Sequence, residues 1–115
     1  MDNDTRTLGA HGEDLAARWY QARGYNVLAR NWRCPAGELD LVLGRPGLVV
    51  FCEVKARTTP AVGTGAEAVT PAKQARVRRL AAAWLAGEAH DPAEIRFDVA
   101  AVSRGVQVTV VEAAF

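Results

Sequence analysis

The sequence predicts one α/β domain, a mixed sheet flanked by helices in the order α-β-β-β-α-β-β. Three observations lead there. Three strand-like segments between Tyr25 and Arg57 follow one another on short turns, which makes an antiparallel meander. Helix-like segments stand before and after that meander. The stretch from the third strand through the second helix to the next strand is long enough for a right-handed parallel crossover. Packing in two or in three layers satisfies this order equally well. The domain spans residues 1–115, with 1–7 expected as a disordered tail.

The first helix is expected from about Leu8 to Arg23, with Leu8, Leu15, Trp19 and Ala22 as its apolar stripe and Gly24 closing it. A strand follows from about Tyr25 to Arg33, then a turn at Cys34-Pro35-Ala36-Gly37. Alternation over Glu38 to Leu43 sends Leu39, Leu41 and Leu43 to one face and Glu38, Asp40 and Val42 to the other. Gly44-Arg45-Pro46-Gly47 turns the chain into Leu48 to Arg57, the strongest strand. Thr58 to Val69 reads as a long loop. Thr70 is an N-cap with Pro71 at the first helical position, and Val77, Leu80, Ala81, Trp84 and Leu85 form the stripe of a helix ending at Gly87. Ile95 to Val102 and Val106 to Val111 are strands joined at Ser103-Arg104-Gly105.

Half of the 115 residues are hydrophobic and 23% are charged, which excludes a disordered chain. No apolar run approaches the ~20 residues of a membrane span. The polar, acid-bearing N-terminus resembles no export or transit signal, so a cytoplasmic location is expected. Cys34 and Cys52 are then reduced thiols rather than a disulfide framework. A net charge of +1 excludes a strongly cationic coat but leaves room for a local basic patch. Twelve of the 14 cations are arginines, and only Lys55 and Lys73 are lysines. An ammonium is a compact point charge and a guanidinium a planar fork, so a retained lysine marks a place to look.

The chemistry concentrates on the second and third strands. LVVFCEV is apolar on both faces until Glu53, Lys55 and Arg57 share one face at its far end, where α/β sheets carry their sites. Glu38 and Asp40 share a face of the strand before it. A salt bridge at the sheet rim would explain any one of these residues. Several acids converging with a lysine need cations to stay ionised, and an oxygen-only donor set suits Mg²⁺ or Mn²⁺. Such ions neutralise phosphate charge and activate water, and a neighbouring lysine stabilises the charge that develops. Asp40 and, thirteen positions on, Glu53-Val54-Lys55 give the D…ExK spacing. Lys73 places a cation on an apolar helical stripe, with a snorkelling stem as the bland alternative. Arg76, Arg78 and Arg79 suit either phosphate contacts or a solvated helix face. Arg96 and Asp98 share a strand face and suit an ion pair. Gly63-Thr64-Gly65-Ala66-Glu67-Ala68 stands too far before its helix for a dinucleotide fingerprint, and His11 and His90 lack zinc-spaced partners.

Longer motifs surround that spacing: Gly12-Glu13 and Ala16, Asn31-Trp32-Arg33, Gly37-Glu38-Leu39-Asp40-Leu41, Phe51-Cys52-Glu53-Val54-Lys55-Ala56-Arg57, Val69-Thr70-Pro71-Ala72-Lys73 and Arg96-Phe97-Asp98-Val99. Together they resemble the bacterial YraN-like family, of the PD-(D/E)XK superfamily with its Holliday-junction-resolvase-like members, from about Leu8 to Phe115. Cys52 and Trp84 depart from the residues expected there, aliphatic and Tyr. The resemblance implies a restriction-endonuclease-like fold. It also implies that Asp40 and Glu53, completed by Glu13, hold Mg²⁺ (or Mn²⁺) while Lys55 handles the nucleophile. From the residues alone Glu13 is equally an ordinary helix-flank acid.

The leading functional expectation is a metal-dependent endonuclease on DNA rather than RNA, branched or damaged DNA included. Lys73, Arg57, Arg76 and Arg79 are its expected nucleic-acid contacts, and the resemblance allows a homodimer. Two further readings stay open. One is a nucleic-acid-binding module that keeps the fold without turnover, and the other is a protein-interaction domain with a structural acid–lysine cluster.

Overall fold

The computed structural model describes residues 5–57, 69–88, 90–103 and 106–115, with side chains from residue 11 onward and that of Arg57 excepted. The elements are α1 (Thr5–Gln21), β1 (Asn26–Cys34), β2 (Gly37–Arg45), β3 (Leu48–Arg57), α2 (Pro71–Gly87), β4 (Glu94–Ser103) and β5 (Gln107–Val111). Spatial order follows chain order across one five-stranded sheet. β1–β2, β2–β3 and β4–β5 pair antiparallel, whereas β3 and β4, joined through α2, run parallel. The meander and the parallel crossover are as the sequence predicts.

Alternate residues of β3 serve two cores. Leu48, Val50 and Cys52 pack with Ala16, Ala17 and Tyr20 of α1, and Val49 and Phe51 pack with Val77, Leu80, Ala81 and Trp84 of α2. The helices therefore cover opposite faces, giving three layers, and β3 reads apolar throughout because both its faces are buried. α2 starts as expected: Thr70 Oγ1 accepts from the Lys73 N–H at 3.2 Å, with Pro71 next to the cap. Gly24 has φ +88°, the left-handed turn that lets Tyr25 reverse onto Tyr20.

Two local expectations fail. α1 begins at Thr5 rather than Leu8, and its buried face is Gly12, Ala16, Ala17 and Tyr20. Leu15 and Trp19 are half-buried and Ala22 is exposed. Small residues face the sheet because the helix lies close: a Cβ on Gly12 would sit 3.2 Å from Ala56 Cβ. The alternation along β2 also breaks. Leu41 and Leu43 belong to the α1 core, but Leu39 joins Val42 in the α2 core. Across the ladder, Asn31 has φ +51°, and Ala29 and Trp32 to either side both pack on the α2 core. A left-handed residue breaks the two-residue period, and asparagine adopts that conformation at little cost. The break lies between the pairs Arg30↔Leu41 and Trp32↔Leu39, opposite Asp40.

Residues 1–4 of the expected tail, nearly all of the Thr58–Val69 loop with Gly63–Ala68 inside it, and Arg104 and Gly105 of the last turn lie outside the described residues.

Candidate metal and phosphate site

Pairing of β2 with β3 stops at Leu41↔Cys52. One rung further Asp40 stands across from Glu53, where the strands have parted. The Asp40 carboxylate fills the gap, its Oδ2 accepting from the Val54 N–H at 2.8 Å. Glu53 points to the α2 face, and Lys55, two residues on along the strand, shares that side. Lys73, in the first turn of α2, reaches the same place with Nζ 3.5 Å from Glu53 Oε1. Both lysines of the chain meet here, each within electrostatic range of the other and of both carboxylates. Gly37, Glu38, Asp40, Glu53, Lys73 and Arg76 line a cavity of about 250 Å³.

Burial sets the electrostatics. Glu53, 2% exposed, is pushed up to about 7 by burial and then by the Asp40 charge, against the pull of Lys73. Asp40 is raised by burial as well, opposed by the Val54 N–H and by Lys73. Lys55 is lowered, first by its contact with Lys73 and then by burial. Burial works against the Lys73 charge too, but the Glu53 and Asp40 carboxylates favour it, and the ammonium is held protonated. Glu53 Oε2 is buried without a hydrogen-bond partner among the described residues. An unsatisfied buried carboxylate oxygen is costly, so it marks a place for a ligand.

A pH dependence follows. The Glu53 value of about 7 in the fold lies above its ordinary 4.5, so between these the folded chain binds more protons than the unfolded one. The stability this group contributes is complete below about pH 4.5 and is lost as pH rises through about 7. In chelator-containing buffer, Glu53→Gln should therefore gain on wild type by an order of 2 kcal/mol between pH 5 and pH 8. Urea midpoints at the two pH values measure it, and a constant difference would contradict the assignment.

The other expected residues are distributed unevenly. Glu13 is half-buried on α1 and hydrogen-bonds Asn31. Its carboxyl is raised by burial, with Asn31 lowering it and the Asp40 charge raising it further. It thus lies within electrostatic range of Asp40, although among the described residues no three His, Cys, Asp or Glu side chains form a ready-made cation cage. Glu38 lines the cavity and pairs with Arg33 at 3.6 Å. Of the three α2 arginines, Arg76 lines the cavity. Arg78 lies over Phe97 and Phe115 at 4.7 and 5.6 Å, and Arg79 is exposed. Arg76 and Arg79, three positions apart on α2, are neighbours on one helix face, whereas Arg78 is turned to the aromatic pair. Arg57 ends β3, but its side chain lies outside the described residues. His11 and His90 are both exposed, and His90 stacks on Trp84 with ring centroids 5.0 Å apart. Sequence reasoning gave Asn31 no role. Its signals were its place in the Asn31-Trp32-Arg33 motif and an asparagine, a residue tolerant of positive φ, inside a strand-like run.

An antiparallel meander followed by a parallel crossover, in the element order α-β-β-β-α-β-β, is the topology of a nuclease-like domain with a restriction-endonuclease-like fold. The chain belongs to the UPF0102 family, described as an uncharacterised protein family, whose model matches residues 12–102. It is 51% identical over 106 residues to a UPF0102 protein of Parafrankia sp. (strain EAN1pec), covering 92% of this chain and 90% of that one. Against UPF0102 proteins of Frankia alni and Beutenbergia cavernae it is 55% and 54% identical over 97 residues, covering 84% of this chain and 81% and 82% of theirs. The family and the fold match the resemblance read from the motifs.

Proposed function

We propose that this chain is a Mg²⁺- or Mn²⁺-dependent endonuclease acting on DNA, with branched or damaged DNA as its substrate class. One observation carries the reading: Glu53, buried and with one oxygen unpartnered, faces Asp40 across the parted strands, beside both lysines of the chain. The donor set fits the ion. Two carboxylates supply hard oxygens, and Mg²⁺ keeps several waters when protein ligands are few. Glu13 is the candidate third acid, through Asn31 and its proximity to Asp40.

A divalent ion bound there would neutralise phosphate charge and make its water a nucleophile near neutral pH. The chain's own groups do the rest. Asp40 is oriented by its bond from the Val54 N–H, which fixes one oxygen and leaves the other for coordination. Lys55, with its proton affinity lowered, orients the attacking water and offsets the charge that develops on the phosphoryl oxygens. Lys73, Arg76, Arg79 and Arg57 are the candidate contacts to flanking phosphates, which place the scissile bond without reading sequence.

Binding without turnover is the second reading, favoured by the ion pair of Glu53 with Lys73, which neutralises the carboxylate with no metal at all. Incubating the protein with single-stranded, duplex, flapped and four-way-junction DNA, with Mg²⁺, Mn²⁺ or EDTA, separates the two. Cleavage of at least one substrate that EDTA stops is the expected result. Tight binding with no cleavage anywhere in the panel would favour the binding module.

A further inference from the structure

Lys73 stands in an unusual place for a lysine. It lies in the first turn of α2, which holds no acid, so its charge adds to the positive end of the helix dipole instead of offsetting it. Its partner explains the position, but only loosely. The Nζ–Oε1 separation of 3.5 Å exceeds the ~2.7–2.9 Å of a tight charge-assisted bond, and Glu53 Oε2 has no hydrogen-bond partner among the described residues. The two side chains also differ in freedom: Lys73 is 26% exposed and Glu53 3%. The ammonium is able to swing into solvent, and the carboxylate is not.

From this asymmetry we infer that Lys73 is the resident counter-cation of Glu53, and that a divalent ion enters by displacing it, releasing the ammonium toward a substrate phosphate. The inference rests on the metal-dependent reading and assigns to one residue both protection of the metal-free site and capture of substrate. It also gives a reason for lysine at this position in a chain whose other cations, Lys55 apart, are arginines. A guanidinium would grip the carboxylate with two parallel bonds and resist exchange, whereas an ammonium on a flexible stem lets go.

The chain's two lysines make the exchange directly visible. With ¹³C,¹⁵N-lysine labelling the side-chain spectrum holds two ammonium environments, and a Lys55→Arg variant assigns them. Mg²⁺ added without DNA should shift the Lys73 Cε and Nζ signals and increase that side chain's mobility. Calorimetry with Mn²⁺ alone supplies the second arm. Lys73→Met should bind Mn²⁺ roughly fivefold tighter than wild type, because the competing charge is gone. Lys73→Arg should bind it more weakly, and Arg45→Met, at the last residue of β2 and over Tyr25, should change it by less than about twofold. If Mn²⁺ binds while the Lys73 signals stay fixed, or if Lys73→Met binds no tighter, the exchange is overturned and the metal site survives. If the wild type takes up neither ion at millimolar concentration, both the exchange and the metal-dependent reading fall. The wild-type spectrum decides the matter even if Lys73→Met folds poorly.

Discussion

Lys55→Ala is expected to abolish metal-dependent cleavage while leaving DNA affinity nearly unchanged. Its ammonium is a single charge beside Glu53 and Lys73, so it is one small part of a multi-contact, salt-sensitive affinity. Its share in turnover is larger, because it acts on charge that develops only in the transition state, where one such group is worth ~10²–10³ in rate. Asp40→Asn and Glu53→Gln should remove cleavage as well, and should weaken Mn²⁺ binding, which Lys55→Ala should not. Arg76→Ala combined with Arg79→Ala should act in the opposite sense, weakening DNA binding and flattening its salt dependence, with less effect at saturating substrate. Since Arg76 lines the cavity and Arg79 is not among its lining residues, most of that loss should follow Arg76. Cleavage of labelled substrate beside binding titrations at two salt concentrations measures all four. Equal loss of affinity and cleavage in Lys55→Ala would reduce Lys55 to a phosphate contact.

How these residues come together was only partly legible in the sequence. The β3 run, apolar on both faces until Glu53, showed a central strand with polar chemistry at one end, and the isolated Lys55 and Lys73 marked the two cations that meet there. Thr70-Pro71 fixed the start of α2, and hence the point from which Lys73 reaches in. Strict alternation misjudged β2. A period of two holds only while every residue stays extended, and the positive φ of Asn31 ends it opposite Asp40. Asp40, just past the end of the β2–β3 pairing, uses its side chain to take the Val54 N–H. The α1 face was misread for a different reason. A hydrophobic stripe weights large side chains, whereas close packing of this helix on the sheet selects Gly12 and Ala16. Arg76, Arg78 and Arg79 looked alike in sequence, but Arg76 lines the cavity and the aromatic pair Phe97 and Phe115 takes Arg78.

The largest stability effect is expected on the opposite face of the sheet, at the pair that looked like an ordinary ion pair. Asp98 has no exposed surface, and both its oxygens are fully engaged. Arg96 Nε and Nη2 donate to Oδ1 and Oδ2, each at 2.9 Å, Tyr20 Oη donates to Oδ2 at 2.7 Å, and the Ala113 N–H donates to Oδ1 at 3.0 Å. Arg96 also reaches the Tyr25 hydroxyl at 3.0 Å. The network ties α1, the turn after it, β4 and the segment after β5 to one carboxylate, and it holds Ala113 at φ +52°. Removing one member of a buried pair strands the other charge, which costs about 3–5 kcal/mol. Arg96→Met should therefore destabilise the fold by about 3 kcal/mol, at the low end because Asp98 keeps the Tyr20 and Ala113 bonds. The double variant Arg96→Met with Asp98→Leu should lose less than the sum of the two single losses, since no charge is then left buried. Both are read from urea midpoints. At a temperature where Arg96→Met remains folded, its Mn²⁺ affinity should equal that of wild type, because the network lies across the sheet from Asp40, Glu53 and Lys73. Strict additivity in the cycle would mean that Arg96 and Asp98 act separately, and lost Mn²⁺ affinity in a folded variant would mean that the anchoring of α1 reaches the metal site.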